Sequence, residues 1–375
     1  MMAGWNPFRI VGLICAALLI AGCTPRGAIT LDANAGSIGS PEPMFVASSR
    51  MPDAEGPGFT RDAAQGLNFG RATVSVPPDR APGTVTFPSG GRANPQTDFL
   101  TIDSARIANP AAFIRDINAA LARQPADQRE IMVFVHGFNT NFAEGLYRQA
   151  QMRHDFKSPG LSLNYSWPSA ANVRAYATDR EAVLQARDDL EQLIDILTRT
   201  NTSRIILTGH SMGAFLVMEA MRQKAIRDAP GAFRKLQTVV LIAPDIDIAV
   251  FRRQARALEG HGVSIYVFSS SRDRALRVSA ALRGTGERLG SISDVAAISD
   301  LPVTVIDLSD VASGDDALGH FKVATSPVMI ALIQGLRSYG TEILHDTAKK
   351  PGVLEAGVAV MQDVASAALQ PLADR

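Results

Sequence analysis

Two cysteines in 375 residues cannot build a disulfide framework, and neither a Cys-x-x-Cys pair nor a Cys/His cluster offers zinc a site. Charge of one sign is equally lacking, since 37 Lys and Arg balance 37 Asp and Glu. Without a basic run, the electrostatic footprint that nucleic acid requires is missing. The N-terminal apolar run, residues 10–20, is 11 residues long and too short to span a bilayer as a stable helix. Internal repeats, which would signal a solenoid, are not visible. What is present is ordinary globular composition, 46% hydrophobic and 20% charged, which excludes wholesale disorder. The length suits one large domain or two modest ones.

Both cysteines, Cys15 and Cys23, lie near the N-terminus. Arg9 precedes the apolar run, and Ala21-Gly22-Cys23 follows it, the layout of a secretory signal whose h-region is residues 10–20. Ile20-Ala21-Gly22-Cys23 resembles a bacterial lipobox, which implies a signal peptide over residues 1–22 and an acylated Cys23 holding the protein to a membrane. Thr24 in place of an acidic residue implies the outer membrane in a Gram-negative envelope. Residues 23–43, rich in Gly, Ser, Ala and Pro, read as a flexible tether.

Two short β-prone segments follow, residues 44–48 and 71–76, expected as edge strands among turns. From residue 111 the rhythm is regular. Helical spacing over 111–123, 142–156, 178–200, 214–227, 250–258, 276–282 and 321–339 alternates with apolar runs at 131–135, 161–167, 204–208, 238–243, 263–268 and 303–308. Strand alternating with helix means an α/β fold whose mostly parallel central sheet carries helices on both faces. One domain over 44–345 and a C-terminal helical tail over 346–375 complete the expectation.

Such a sheet binds ligands at the carboxyl ends of its strands. Gly209-His210-Ser211-Met212-Gly213 stands there, between a strand and a helix, the context a G-x-S-x-G nucleophile elbow demands. Small residues permit a turn that lifts the Ser211 hydroxyl clear of the sheet, and the Met212 N–H at the helix start faces developing negative charge. His136-Gly137-Phe138 after the 131–135 strand resembles the loop that supplies the second oxyanion donor, here the Phe138 N–H. In elbow hydrolases the acid and then the histidine follow the serine. His261 precedes a strand and His345 lies beyond the closing helix, which leaves His320 as the base. Asp273 follows the strand before it and is the expected acid, with Asp245 as the alternative. Trp167 lines an acyl pocket or packs in the core, His136 is structural or part of that pocket, and His210 supports the nucleophile beside it. Gly284, Gly286 and Gly290 have phosphate-loop spacing but follow a helix, so no dinucleotide is expected.

Taken together, His136–Asn139, Ser166-Trp167-Pro168-Ser169, Tyr176 with Asp179-Arg180, the elbow, Ala243-Pro244-Asp245, Ser271–Leu276 and His320 resemble a bacterial alpha/beta-hydrolase family of unknown function. The likeness extends to Phe45–Arg50 and Val74–Pro78. It implies an alpha/beta-hydrolase fold and a serine hydrolase acting on an ester or related acyl bond, esterase- or lipase-like, with no cofactor or metal. A small-molecule or lipid acyl substrate and the membrane are the expected partners. An amidase, peptidase or acyltransferase would use the same residues, and a non-catalytic envelope interaction protein could keep the scaffold.

Overall fold

The computed structural model describes residues 26–89, 92–227, 233–283, 287–312 and 318–338. The signal segment with Cys15 and Cys23, Gly284 and Gly286, Asp315 and Asp316, His345 and the 346–375 tail lie outside the described residues. Strands Ser40–Pro52 (β1), Phe59–Val76 (β2), Leu100–Ile107 (β3), Glu130–Val135 (β4), Leu161–Ser166 (β5), Arg204–His210 (β6), Leu236–Ile242 (β7), Ser264–Ser269 (β8) and Val303–Asp307 (β9) form one sheet. Their order is β3-β2-β1-β5-β4-β6-β7-β8-β9. The β1–β2 and β2–β3 pairs are antiparallel, and every pair from β1–β5 to β8–β9 is parallel.

The strand order reverses at β4, which pairs with β5 on one side and β6 on the other. The chain leaves β4 in one direction and β6 in the other, and this switch point opens a crevice at their carboxyl ends. Val135 pairs with Gly209, so the loops that follow the two strands start side by side.

The unbroken apolar run of β4 is explained by burial on both faces. Ile131, Val133 and Val135 join one core with helices Pro110–Leu121 (α1), Tyr176–Thr198 (α3), Met212–Arg227 (α4) and Ile248–Ala257 (α5). Phe134 faces the opposite layer, with Met152 and Phe156 of the Phe142–Asp155 region (α2) and Met329 and Ile330 of Pro327–Ser338 (α8). In α3, Val183, Ala186, Leu190, Leu193, Ile194 and Leu197 recur at helical spacing and are all buried. Asn141 and Glu144 close a capping box at the start of α2.

Three expectations need correction. Residues 26–43 are not a free tether: Arg26 bonds Glu144 and Asn139, Thr30 and Leu31 pair with Thr101, and Ala35 is buried. The small-residue composition that suggests flexibility also lets the chain lie close against β2 and β3. The N-terminal segments are not short edge strands either. β1 has 13 residues and β2 has 18, and β1 sits inside the sheet between β2 and β5. Finally, the closing helix is two, Lys322–Thr325 (α7) and α8, parted at Ser326, whose ψ of 120° is the extended geometry imposed by Pro327.

Candidate active site

β6 ends at His210, and α4 begins at Met212, leaving Ser211 alone in the turn. Its φ of 53° is left-handed, a conformation that costs a non-glycine residue about 1–3 kcal/mol and persists only where surrounding bonds fix it. Those bonds are present. The Ser211 N–H donates to Ile242 O (2.9 Å), while Ser211 O accepts from Ala214 N–H (3.0 Å) and Asp245 N–H (3.2 Å). Gly213 permits the turn to press against the β4 loop, because a Cβ there would run into the His136 carbonyl oxygen. Gly137 is equally constrained: a Cβ on it would lie 2.8 Å from His210 Nδ1 and 3.0 Å from Ser211 Cβ. The His136-Gly137-Phe138 backbone therefore runs directly past the serine.

His320, in the loop after β9, lies against His210 of the elbow. Its Nδ1–H donates to Asp273 Oδ2 at 2.7 Å, which leaves Nε2 as the basic nitrogen. Asp273 is fully buried, and its Oδ1 accepts the Leu276 N–H (3.0 Å) at the start of helix Arg274–Arg283 (α6). One carboxylate thus holds the imidazole and caps the helix that follows it. His210 completes the link to the elbow. Its ring lies 4.8 Å from that of His320 and 4.1 Å from Phe321, and its Nε2–H donates to His320 O (3.3 Å).

Asp245, the alternative acid, is committed elsewhere. It accepts from Arg288 Nε (2.8 Å), Tyr176 Oη (2.6 Å) and Ser279 Oγ (3.0 Å) in a buried cluster. Tyr176 also packs edge-on against Phe138, so the cluster braces the loop after β4 from behind.

His136 is buried and neutral. Its Nδ1–H donates to Gly137 O (2.9 Å), and burial, reinforced by Arg50, lowers its pKa from 6.5 to about 3. Burial also drives His210 well below the usual histidine range, with the His320 charge adding to the effect. Trp167 packs in the core and does not face a cleft. It is fully buried, stacks on His136 with centroids 5.1 Å apart, and donates from Nε1–H to His136 O (2.7 Å). Beside the elbow, His136, His210, Val85, Phe87, Phe134 and Phe321 contribute to the walls of a cleft of about 230 Å³.

These neutral histidines set a pH dependence of stability. Below pH 6.5 the unfolded chain takes up protons that the folded chain refuses, so stability is greatest above 6.5 and falls as pH drops toward the folded value. For His136 alone the loss between pH 7 and pH 5 is about 2 kcal/mol at 1.4 kcal/mol per unit, and His210 adds in the same direction. Urea unfolding should show a lower midpoint at pH 5, with a flatter profile for His136→Gln. Equal midpoints at the two pH values would contradict the assignment.

Sequence reasoning gave no individual role to Arg50, Ser169 or Asp179, although all three meet beneath the 136–140 loop. Among the described residues there is no group of three His, Cys, Asp or Glu side chains placed to hold a metal ion.

Several solved structures are similar to this chain. Lipase B of Aspergillus fumigatus is similar at 16% identity and a TM-score of 0.35, over 62% of this chain and 59% of the lipase, so this chain spans less than two thirds of that protein. Esterase B of Lactobacillus rhamnosis is similar at 12% identity and a TM-score of 0.34, over 60% of this chain and 82% of the esterase. A structure from a study of two Rhizomucor miehei esterases is similar at 13% identity and a TM-score of 0.36, over 88% of this chain and 96% of that one. No curated protein matches the sequence. Residues 109–337, from the start of α1 almost to the end of α8, match the family described as alpha/beta hydrolase of unknown function (DUF900). The chain is a member of that alpha/beta-hydrolase family.

Proposed function

We propose that the protein is a serine hydrolase that cleaves carboxylic esters through an acyl-enzyme on Ser211. The observation that carries this reading is the Asp273–His320 hydrogen bond, locked by His210 to the strained turn that holds Ser211. Ser211 Oγ attacks the ester carbonyl while His320 Nε2 takes the hydroxyl proton. Asp273 holds the imidazole in that tautomer and stabilises the imidazolium without taking the proton itself. The N–H groups of Phe138 and Met212 receive the oxyanion. Collapse breaks the ester C–O bond, and the departing alkoxide takes the proton from His320. Water then attacks the acyl-enzyme with His320 again as base, releasing the carboxylic acid and restoring Ser211.

The cleft beside Gly137 and His210 supplies a place for the acyl group, with Phe87, Phe134 and Phe321 as apolar walls. A cavity of about 150 Å³ holds one benzene ring, so this open cleft of about 230 Å³, lined also by Glu144 and Arg148, is sized for an acyl group of short to medium length. Turnover of p-nitrophenyl acetate, butyrate, octanoate and palmitate tests the reading. The expected optimum is butyrate to octanoate, with kcat/KM for palmitate lower by about tenfold or more, the scale of one or two poorly accommodated methylenes. Absence of turnover above buffer for all four esters would overturn the ester assignment.

A further inference from the structure

We propose that Arg50 is a positioning residue for catalysis: from β1 it holds the 136–140 backbone in the shape that aims the Phe138 N–H at the oxyanion. The inference rests on the serine-hydrolase reading above and adds to it a part of the chain that precedes the family match at 109–337. Arg50 is buried, at 1% exposure. Its Nε donates to Ser166 Oγ (2.8 Å), Nη1 to Ser169 O (3.2 Å) and Thr60 O (3.3 Å), and Nη2 to Thr140 O (2.9 Å). One planar guanidinium thus ties the loop after β4 to the end of β5 and to β2. Only a fork of fixed donors can do this, since an ammonium is a point charge and an apolar side chain has nothing to donate.

Burying a guanidinium is expensive, and the site shows the strain of it. Burial lowers the Arg50 pKa to about 10, opposed by the charges of Asp179 and Glu144. Asp179, fully buried, lies on the other side of the same network. It accepts from Ser169 Oγ (2.6 Å) and Ala170 N–H (2.8 Å), and Ser169 Oγ in turn accepts the Thr140 N–H (3.3 Å). Thr140 is therefore held through both main-chain groups, its carbonyl by Arg50 and its N–H by Ser169.

What this grip restrains is a strained turn. Asn139, between Phe138 and Thr140, has a φ of 55°. Left-handed backbone is tolerated by asparagine but persists where neighbours over-determine it. The register between β1 and β2 breaks on both sides of Arg50, at Ser48/Arg50 and Arg50/Pro52. Irregularities of this kind re-aim a side chain next to a site. Freed from Arg50, the 139–140 peptide would relax toward ordinary φ and carry the Phe138 N–H away from Ser211.

The test uses the full chain with Arg50→Met, Arg50→Lys and, as a milder cut in the same network, Ser169→Ala. Loss of one oxyanion donor costs about 100- to 1000-fold, so misplacing it in Arg50→Met should lower kcat by about 10- to 100-fold. KM should stay within about twofold, because ground-state binding does not use the donor. Arg50→Lys should recover part of the loss, and Ser169→Ala should lower kcat about tenfold with KM unchanged. Rates are normalised to folded protein from urea melts, and fluorophosphonate labelling of the unmutated protein is run alongside. If the unmutated protein is not labelled, the serine-hydrolase reading falls and this proposal with it. If it is labelled, and Arg50→Met keeps its kcat per folded molecule, the proposal alone is overturned. Should Arg50→Met fail to fold, Ser169→Ala decides: an unchanged kcat overturns the positioning role.

Discussion

Replacing Ser211 with alanine is expected to lower ester-hydrolysis kcat by at least about 10⁴-fold, leaving only what oxyanion donors and binding supply without a nucleophile. The expectation follows from how little else at the elbow can substitute. His210 is neutral, with its Nε2–H donating to His320 O. Met212 is buried at the first position of α4. Thr140 Oγ1 donates to Phe138 O at 3.1 Å and faces its own loop. The substitution removes only a hydroxyl from a turn whose bonds are made by the backbone, so unfolding free energy should shift by about 1 kcal/mol or less. A large kinetic loss with an almost unchanged urea midpoint would therefore report chemistry and not folding. Activity retained in Ser211→Ala would require another nucleophile.

The second large effect separates two buried aspartates. Asp273→Asn should cost about 10³- to 10⁴-fold in kcat, because an amide facing His320 Nδ1 can donate as well as accept and so favours the wrong tautomer. Asp245→Asn should leave kcat per folded molecule within about tenfold while destabilising the fold by about 3–5 kcal/mol, as expected when one partner of a buried pair is removed and Arg288 remains. The two carboxylates are both almost completely inaccessible, so burial does not distinguish them. Their partners do: an imidazole at the switch point for one, a guanidinium and two hydroxyls for the other. Paired kcat and urea-melt measurements read both effects. Equal kinetic losses in the two variants would contradict this division of roles.

Much of this arrangement was legible in the sequence because it is written locally. The apolar run of residues 131–135 states that both faces of β4 are covered, and the glycines around Ser211 state that the turn admits no side chain at Gly213. The chain order after the serine narrows the histidines to His320, which the fold places on Asp273. Other features depend on distant partners and leave no local trace. Arg50 reads as one more charge in a strand until Ser166, Ser169 and Thr140, more than 85 residues away in each case, converge on it. The docking of residues 26–43 depends on Glu144, Tyr147 and Thr101, which small and polar composition cannot foretell. Trp167 shows the same limit from the other side. A tryptophan at a strand's carboxyl end has two physical uses, and only the His136 carbonyl behind the loop fixes which one applies.

The most direct test of the central claim is the site of covalent capture. The purified protein and Ser211→Ala are treated with a fluorophosphonate, and the adduct is located by intact mass and peptide mapping. The account predicts one phosphonyl group per chain, carried by Ser211 and absent from Ser211→Ala. An adduct on any other residue, equal labelling of the two proteins, or no labelling of either would contradict it.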